Sequence, residues 1–153
     1  MQDRSRFAAW IEEQGHGIEV RRFPQGTRTA EDAARAIGCE VGQIVKSLVF
    51  TAAGQPVVAL VSGADRLDPG KLAAVAGGPV AKADAETARQ ATGYAIGGVP
   101  PFGHASALPV FMDRELESYD LVWAAAGRPD SVFPIAPARL VELAGARVAE
   151  LAE

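Results

Sequence analysis

Lys46 is the first residue of this 153-residue sequence whose setting could do chemistry, because it interrupts the apolar run Ile44-Val45-Lys46-Ser47-Leu48-Val49-Phe50. If that run is a strand, its two-residue period places Lys46 with Ile44, Leu48 and Phe50, and Val45, Ser47 and Val49 on the other face. An ammonium among apolar neighbours is costly without a partner. Its stem therefore either runs out to the sheet edge or reaches a cleft that offers an anion or a carbonyl. The second such place is Gly97-Gly98-Val99-Pro100-Pro101-Phe102-Gly103. Glycines let main-chain amides approach a ligand closely, and the proline pair stiffens the segment, so fixed amide donors could serve an oxyanion or a phosphate. The same composition also makes an ordinary turn. His104, next in the chain, fits either a general base or a plain surface histidine.

Several reaction classes are excluded by what the sequence lacks. It has no phosphate-binding loop ending in Gly-Lys-Ser/Thr, no Gly-x-Gly-x-x-Gly after a strand, and no Gly-x-Ser-x-Gly elbow. With only His16, His104 and Cys39 as soft ligands, no zinc spacing exists, and neither a metal nor a cofactor is expected. Cys39 reads as a small buried hydrophobe, and Trp10 and Trp123 as core or groove-wall residues. A net charge of −4 argues against a protein that coats nucleic acid through its phosphates. A local contact through Arg21, Arg22 and Arg28 remains open. One cysteine, no apolar leader and no run long enough to span a membrane point to a soluble cytoplasmic protein.

The elements that must position these residues are marked by caps and breakers. Phe7 to Gln14 reads as a helix stopped by Gly15 and Gly17, and Ile18 to Phe23 as a strand ended by Pro24. Thr29 with Asp32 opens a helix that Gly38 closes; Asp68-Pro69 opens another that ends near Gly77-Gly78. Asp84 begins a third, stopping at Gly93, and Pro137 a last one, closed by Gly145. Strands are expected at Gln43 to Thr51, Pro56 to Val61, Leu108 to Met112, Leu121 to Ala126 and Val132 to Ile135, with Ala53-Gly54 as a hairpin turn. Hairpins mixed with helices predict one α/β (α+β mixed) domain over residues 1–153, a mixed and mostly antiparallel sheet of about six or seven strands flanked by helices.

Taken in order, these stretches resemble the YbaK/prolyl-tRNA synthetase editing-domain family. The likeness runs from Gly38 through Gly42 to Phe50, Asp65-Arg66-Leu67-Asp68, Thr92 to Gly103 and Ala126-Gly127-Arg128, covering roughly residues 25 to 145. The resemblance implies a hydrolase that clears wrongly attached amino acids from tRNA. Lys46 matches the family lysine, and Gly97 to Pro101 its Gly-x-x-x-Pro loop. Lys46, Gly97 and Gly98 are then the expected catalytic residues, with Ser47, Val99, Pro100, Pro101, Phe102 and Gly127 around the substrate. In the implied mechanism the Gly97 and Gly98 amides hold the ester carbonyl, and water or a substrate hydroxyl attacks. The alanine-specific branch carries Lys-Asn where this chain has Lys46-Ser47, which leaves the cysteine-clearing and serine/threonine-clearing branches open. The expected partner is the acceptor end of an aminoacyl-tRNA, together with an aminoacyl-tRNA synthetase, for a monomer or homodimer. A non-catalytic binding module of the same fold, or a hydrolase of another small ester, are the alternatives.

Overall fold

The computed structural model describes residues 7, 9–11, 18–24 and 29–153. Much of the first expected helix, including Gly15 and Gly17, lies outside the described residues, as do His16 and Arg28. Eight strands are present among the described residues: β1 (Arg21–Arg22), β2 (Val45–Ala52), β3 (Gln55–Ser62), β4 (Val80–Lys82), β5 (Val110–Asp113), β6 (Val122–Ala125), β7 (Ser131–Ile135) and β8 (Arg147–Ala149). Four α-helices with both ends described accompany them, α1 (Ala30–Ile37), α2 (Pro69–Ala76), α3 (Ala85–Thr92) and α4 (Pro137–Ala144), and residues 7 and 9–11 of the first expected helix are helical too.

Each helix begins and ends for a local reason. The side chains of Thr29, Asp68 and Asp84 accept first-turn N–H groups of α1, α2 and α3, and Gly38, Gly77, Gly93 and Gly145 close the four helices in the left-handed conformation. The strands form the expected mixed, mostly antiparallel α/β architecture, but they divide between two sheets, ordered β4-β2-β3-β5-β8 and β1-β7-β6. β2 and β3 make a hairpin in register from Val45↔Ser62 to Ala52↔Gln55, turning through Ala53 and Gly54, both at positive φ. β5 runs parallel to β3 and β8 parallel to β5. Among the described residues a single bridge, between Ile44 and Trp123, connects the two sheets.

β3 is the buried centre, with Val57 to Val61 almost wholly shielded. That explains its unbroken apolar run, since a strand covered on both faces shows no alternation. On one side Val45, Val49, Val58, Leu60 and Met112 pack against Val122, Phe133, Ile135 and Leu140. On the other, Phe50, Ala59, Val61 and Phe111 pack with Leu72 of α2 and Leu151. The strands absent from the sequence reading, β4 and β8, have three residues each and carry Lys82 and Arg147, too short and too polar at the sheet margins for a period to show. β1 shrinks from the expected Ile18–Phe23 to Arg21–Arg22 because only these residues find partners on β7, followed by the Phe23 N–H on the Asp130 carbonyl at 2.7 Å.

Candidate active site

The hairpin register decides which backbone groups of β2 are available. Val49 turns its carbonyl away from β3 and accepts the Ala83 N–H at 3.1 Å, so the N–H and C=O groups of Ser47, two residues earlier, point to that same side. There β4 pairs with β2 only from Phe50 to Ala52, and among the described residues the backbone pairing toward the other neighbour, β6, is the Ile44–Trp123 bridge just before β2. Between the two lies a gap in the sheet along Val45 to Leu48.

A pocket of about 290 Å³ fills this gap. Ile44 to Leu48 form its back, Thr29, Ala30 and Ala33 of α1 one side, and Trp123, Ala124, Ala125 and Val132 the other; Ile96, Gly97, Val99 and Arg128 stand at its rim. It is at the small end of ligand-binding pockets and mostly apolar, which suits a small acyl group rather than a whole nucleoside.

Polar groups are few and distinct in state. Lys46 lines the pocket half-buried, and its Nζ donates to the Asp65 carbonyl at 2.6 Å. The Lys46 stem thus passes along the pocket while its head is tied to a carbonyl that does not line it, and an ammonium with one bond made keeps two further N–H donors. The Ser47 Oγ is buried without any hydrogen-bond partner.

Ala95 to Gly98 form a tight turn in which the Gly98 N–H donates to the Ala95 carbonyl at 3.0 Å and Gly97 takes φ +99°. Glycine is favoured at this third position because a type II turn requires positive φ there. The expected pair of amide donors is corrected by this bond, since the Gly98 N–H is engaged within the turn. Among the described residues the N–H groups of Gly97 and Val99 have no partner. Gly98 serves instead as a contact surface: a Cβ there would stand 3.0 Å from the Arg128 nitrogen and the Gly127 carbonyl carbon.

The remaining expected residues lie behind the pocket. Pro100 and Pro101 are buried without lining it. Phe102, 3% exposed, sits among Phe7, Trp10 and Phe133 with ring centroids at 5.5, 5.5 and 5.6 Å, and so fastens the loop to the core. Gly127, at φ +96°, lets the β6–β7 turn lie against Phe7 and Tyr94. His104 points away from the pocket, its Nε2 2.7 Å from the Pro100 carbonyl, with burial pushing its pKa below the ordinary 6.5. Cys39 is half-buried beside Ala33, Ala34 and Ile44, and burial raises its thiol pKa.

Sequence reasoning missed the rim. Ile96, 56% exposed, is one of the few large apolar side chains in the open, and no period marks it. Arg128 belongs to the quoted Ala126-Gly127-Arg128 stretch, but nothing there singled out its side chain. Its Nε lies 3.7 Å from Asp130, which also accepts from Arg22 at 2.8 Å; the Arg22 bond foremost holds the Asp130 carboxyl below its usual pKa. Arg21 lies over the Trp123 ring at 5.2 Å. Arg128 at the rim and Arg21 over the Trp123 ring thus put a basic fringe beside the pocket, each with a carboxylate near it, Asp130 at 3.7 Å and Glu19 at 3.6 Å.

Fold and pocket together define a small mixed α/β protein with a shallow acyl-sized site in a gap between two sheets. The aminoacyl-tRNA editing domain model matches residues 24–143, and the chain belongs to that family. A solved structure described as a "putative trans-editing enzyme for prolyl tRNA synthetase" is 48% identical, with a TM-score of 0.92 over 97% of this chain and 95% of that one. The "Putative Cys-tRNA(Pro)/Cys-tRNA(Cys) deacylase EbsC" of Enterococcus faecalis is 31% identical over 125 residues, 80% of this chain and 76% of the relative. Proline–tRNA ligase of Elusimicrobium minutum is 41% identical over 87 residues, 56% of this chain but 15% of the ligase. No helix among the described residues is long and apolar enough to cross a membrane.

Proposed function

We propose that this chain is a free-standing aminoacyl-tRNA deacylase, a single cytoplasmic domain that hydrolyses the ester of mischarged tRNA in trans. The observation that carries this reading is that Lys46 and Gly97, whose amide has no partner among the described residues, line one acyl-sized pocket. The family, and the synthetase-linked and deacylase names of its relatives, support the substrate class.

In this mechanism the acceptor end of the tRNA enters past Ile96 and the Arg21–Arg128 fringe, and the acyl side chain settles against Val45, Val99 and Trp123. Lys46 binds oxygen of the terminal ribose or phosphate. The Gly97 amide donates to the ester carbonyl and stabilises the oxyanion as water, or the neighbouring ribose hydroxyl, attacks. One such donor is worth about 10²–10³ in rate, so no side-chain nucleophile is required. Pro100, Pro101 and Phe102 stiffen the loop, and Gly127 seats the turn against which Gly98 rests. A separate hydrolytic site is needed because a synthetase pocket separates substrates differing by one methylene by only about 1–3 kcal/mol.

Deacylation of several mischarged tRNAs, run beside free amino-acid esters, tests the proposal. Cleavage confined to charged tRNA supports it. Binding without cleavage indicates a non-catalytic module, and equal cleavage of free esters a small-ester hydrolase.

A further inference from the structure

His104 is the one histidine among the described residues, and it is half-buried in a place the pocket does not use. Its ring lies in a hollow lined by Trp10, Phe102, Leu108 and Leu143, on the opposite side of the loop from Lys46. Among the described residues no charged side chain lines that hollow. The polar contact of its Nε2 is the Pro100 carbonyl at 2.7 Å.

That carbonyl belongs to a segment with few anchors of its own. Pro100 and Pro101 have no N–H, so no main-chain hydrogen bond can originate at either. Val99 has an N–H but leaves it unpartnered among the described residues. Between the Gly98 N–H and the loop's return to α3, where the Ala105 N–H meets the Thr92 carbonyl at 2.8 Å, the polar ties among the described residues are two side-chain bonds. The Tyr94 hydroxyl donates to the Gly103 carbonyl at 3.2 Å, and His104 holds Pro100. The His104 bond is the shorter and lies three residues from Gly97.

We propose that His104 is a positioning residue for the loop. Its neutral imidazole donates Nε2–H to the Pro100 carbonyl and thereby fixes the peptide chain that presents the Gly97 and Val99 amides to the pocket. The inference rests on the deacylase reading for its consequence in catalysis, but the bond itself can be tested without any substrate. A carbonyl has no proton to give, so the contact requires the proton on Nε2. Burial favours the neutral ring.

Nitrogen-15 NMR of the parent protein decides the first part. The Nε2–H tautomer is expected at neutral pH; a neutral ring carrying its proton on Nδ1 would overturn the proposal. The variants His104→Ala and His104→Gln decide the second, because the glutamine amide nitrogen can stand where Nε2 stands. In His104→Ala the Gly97 and Val99 amide resonances should move and their hydrogen exchange quicken, and kcat should fall about tenfold to a hundredfold with KM changed far less, as expected for a misplaced donor. His104→Gln should recover most of both. Unmoved loop amides and unchanged kcat in folded His104→Ala refute the lock. Equal loss in His104→Gln would make the imidazole itself the required group and also refute it. If the parent protein deacylates no charged tRNA, the reading of its function fails, while the tautomer and the amide shifts still decide the lock.

Discussion

Replacing Gly98 by alanine is the most direct probe of how the loop is seated, because two neighbouring glycines should fail for different reasons. At Gly98 the new Cβ would meet backbone atoms of Gly127 and Arg128 at 3.0 to 3.1 Å, several tenths of an ångström inside ordinary contact. Backbone cannot rotate aside as a side chain does, so the 95–98 turn and the β6–β7 turn must part. Overpacking of this kind costs about 1–3 kcal/mol, which corresponds to a Tm lowered by about 2–12 °C at this chain length. The displacement moves the Gly97 amide from the ester carbonyl, and a shift approaching 1 Å costs on the order of 10² in rate. At Gly97 a Cβ meets nothing within 4 Å, and the obstacle is φ +99° alone. Gly97→Asn should therefore be milder than Gly97→Val, since asparagine tolerates positive φ and a β-branched residue does not. At Gly98 both substitutions should be poorly tolerated, valine more so. Thermal melts and single-turnover deacylation of the set supply the comparison. A Gly98→Ala protein with parental Tm and rate would show that the two turns do not form one unit, and the placement of the Gly97 amide would need another cause.

Lys46→Ala should lose about 10²–10³ in kcat/KM, and also about 1–3 kcal/mol of stability, because the Asp65 carbonyl loses its donor; a folded variant with near-parental activity removes Lys46 from the site. Ser47→Ala should raise Tm by a few degrees, since it deletes a buried hydroxyl with no partner. It should also slow cleavage of acyl groups that carry a hydroxyl or thiol more than cleavage of alanyl esters; equal effects on all esters would dissociate Ser47 from the acyl group. For His104 the folded pKa lies below 6.5, so the unfolded chain binds the proton more readily. Its contribution to stability is full above pH 6.5 and falls as pH is lowered through the folded pKa. Denaturant midpoints across that range should show this slope in the parent and lose it in His104→Gln. Incubation with a chelator should leave deacylation unchanged, and activity restored by added zinc or magnesium would contradict the mechanism.

What could be read from the sequence was local. Thr29, Asp68 and Asp84 cap helices through bonds within three residues, so their sequence context contains the whole cause. The apolar run of β2 and the turn at Ala53-Gly54 are equally self-contained. Lys46 stood out because burial penalises a charge wherever the strand goes. Matters that depend on distant contacts were not legible. Nothing near Gly98 says that Gly127 and Arg128 lie against it, and nothing near Phe102 distinguishes an aromatic anchor from a substrate contact. Whether eight strands close as one sheet or two depends on a bridge between Ile44 and Trp123, far apart in the chain.

The gap along Val45 to Leu48 has a meaning for assembly as well. An exposed strand edge ordinarily invites another chain to pair with it and so seeds aggregation. Here the unpaired stretch lies inside its own sheet system, between β4 and β6 and beside α1 and the 95–98 turn, so no foreign strand of useful length can dock. β4 ends at Lys82, and two residues later Asp84 caps α3 through the Thr87 N–H at 2.8 Å. The margin of the aperture thus falls where a strand gives way to a helix cap.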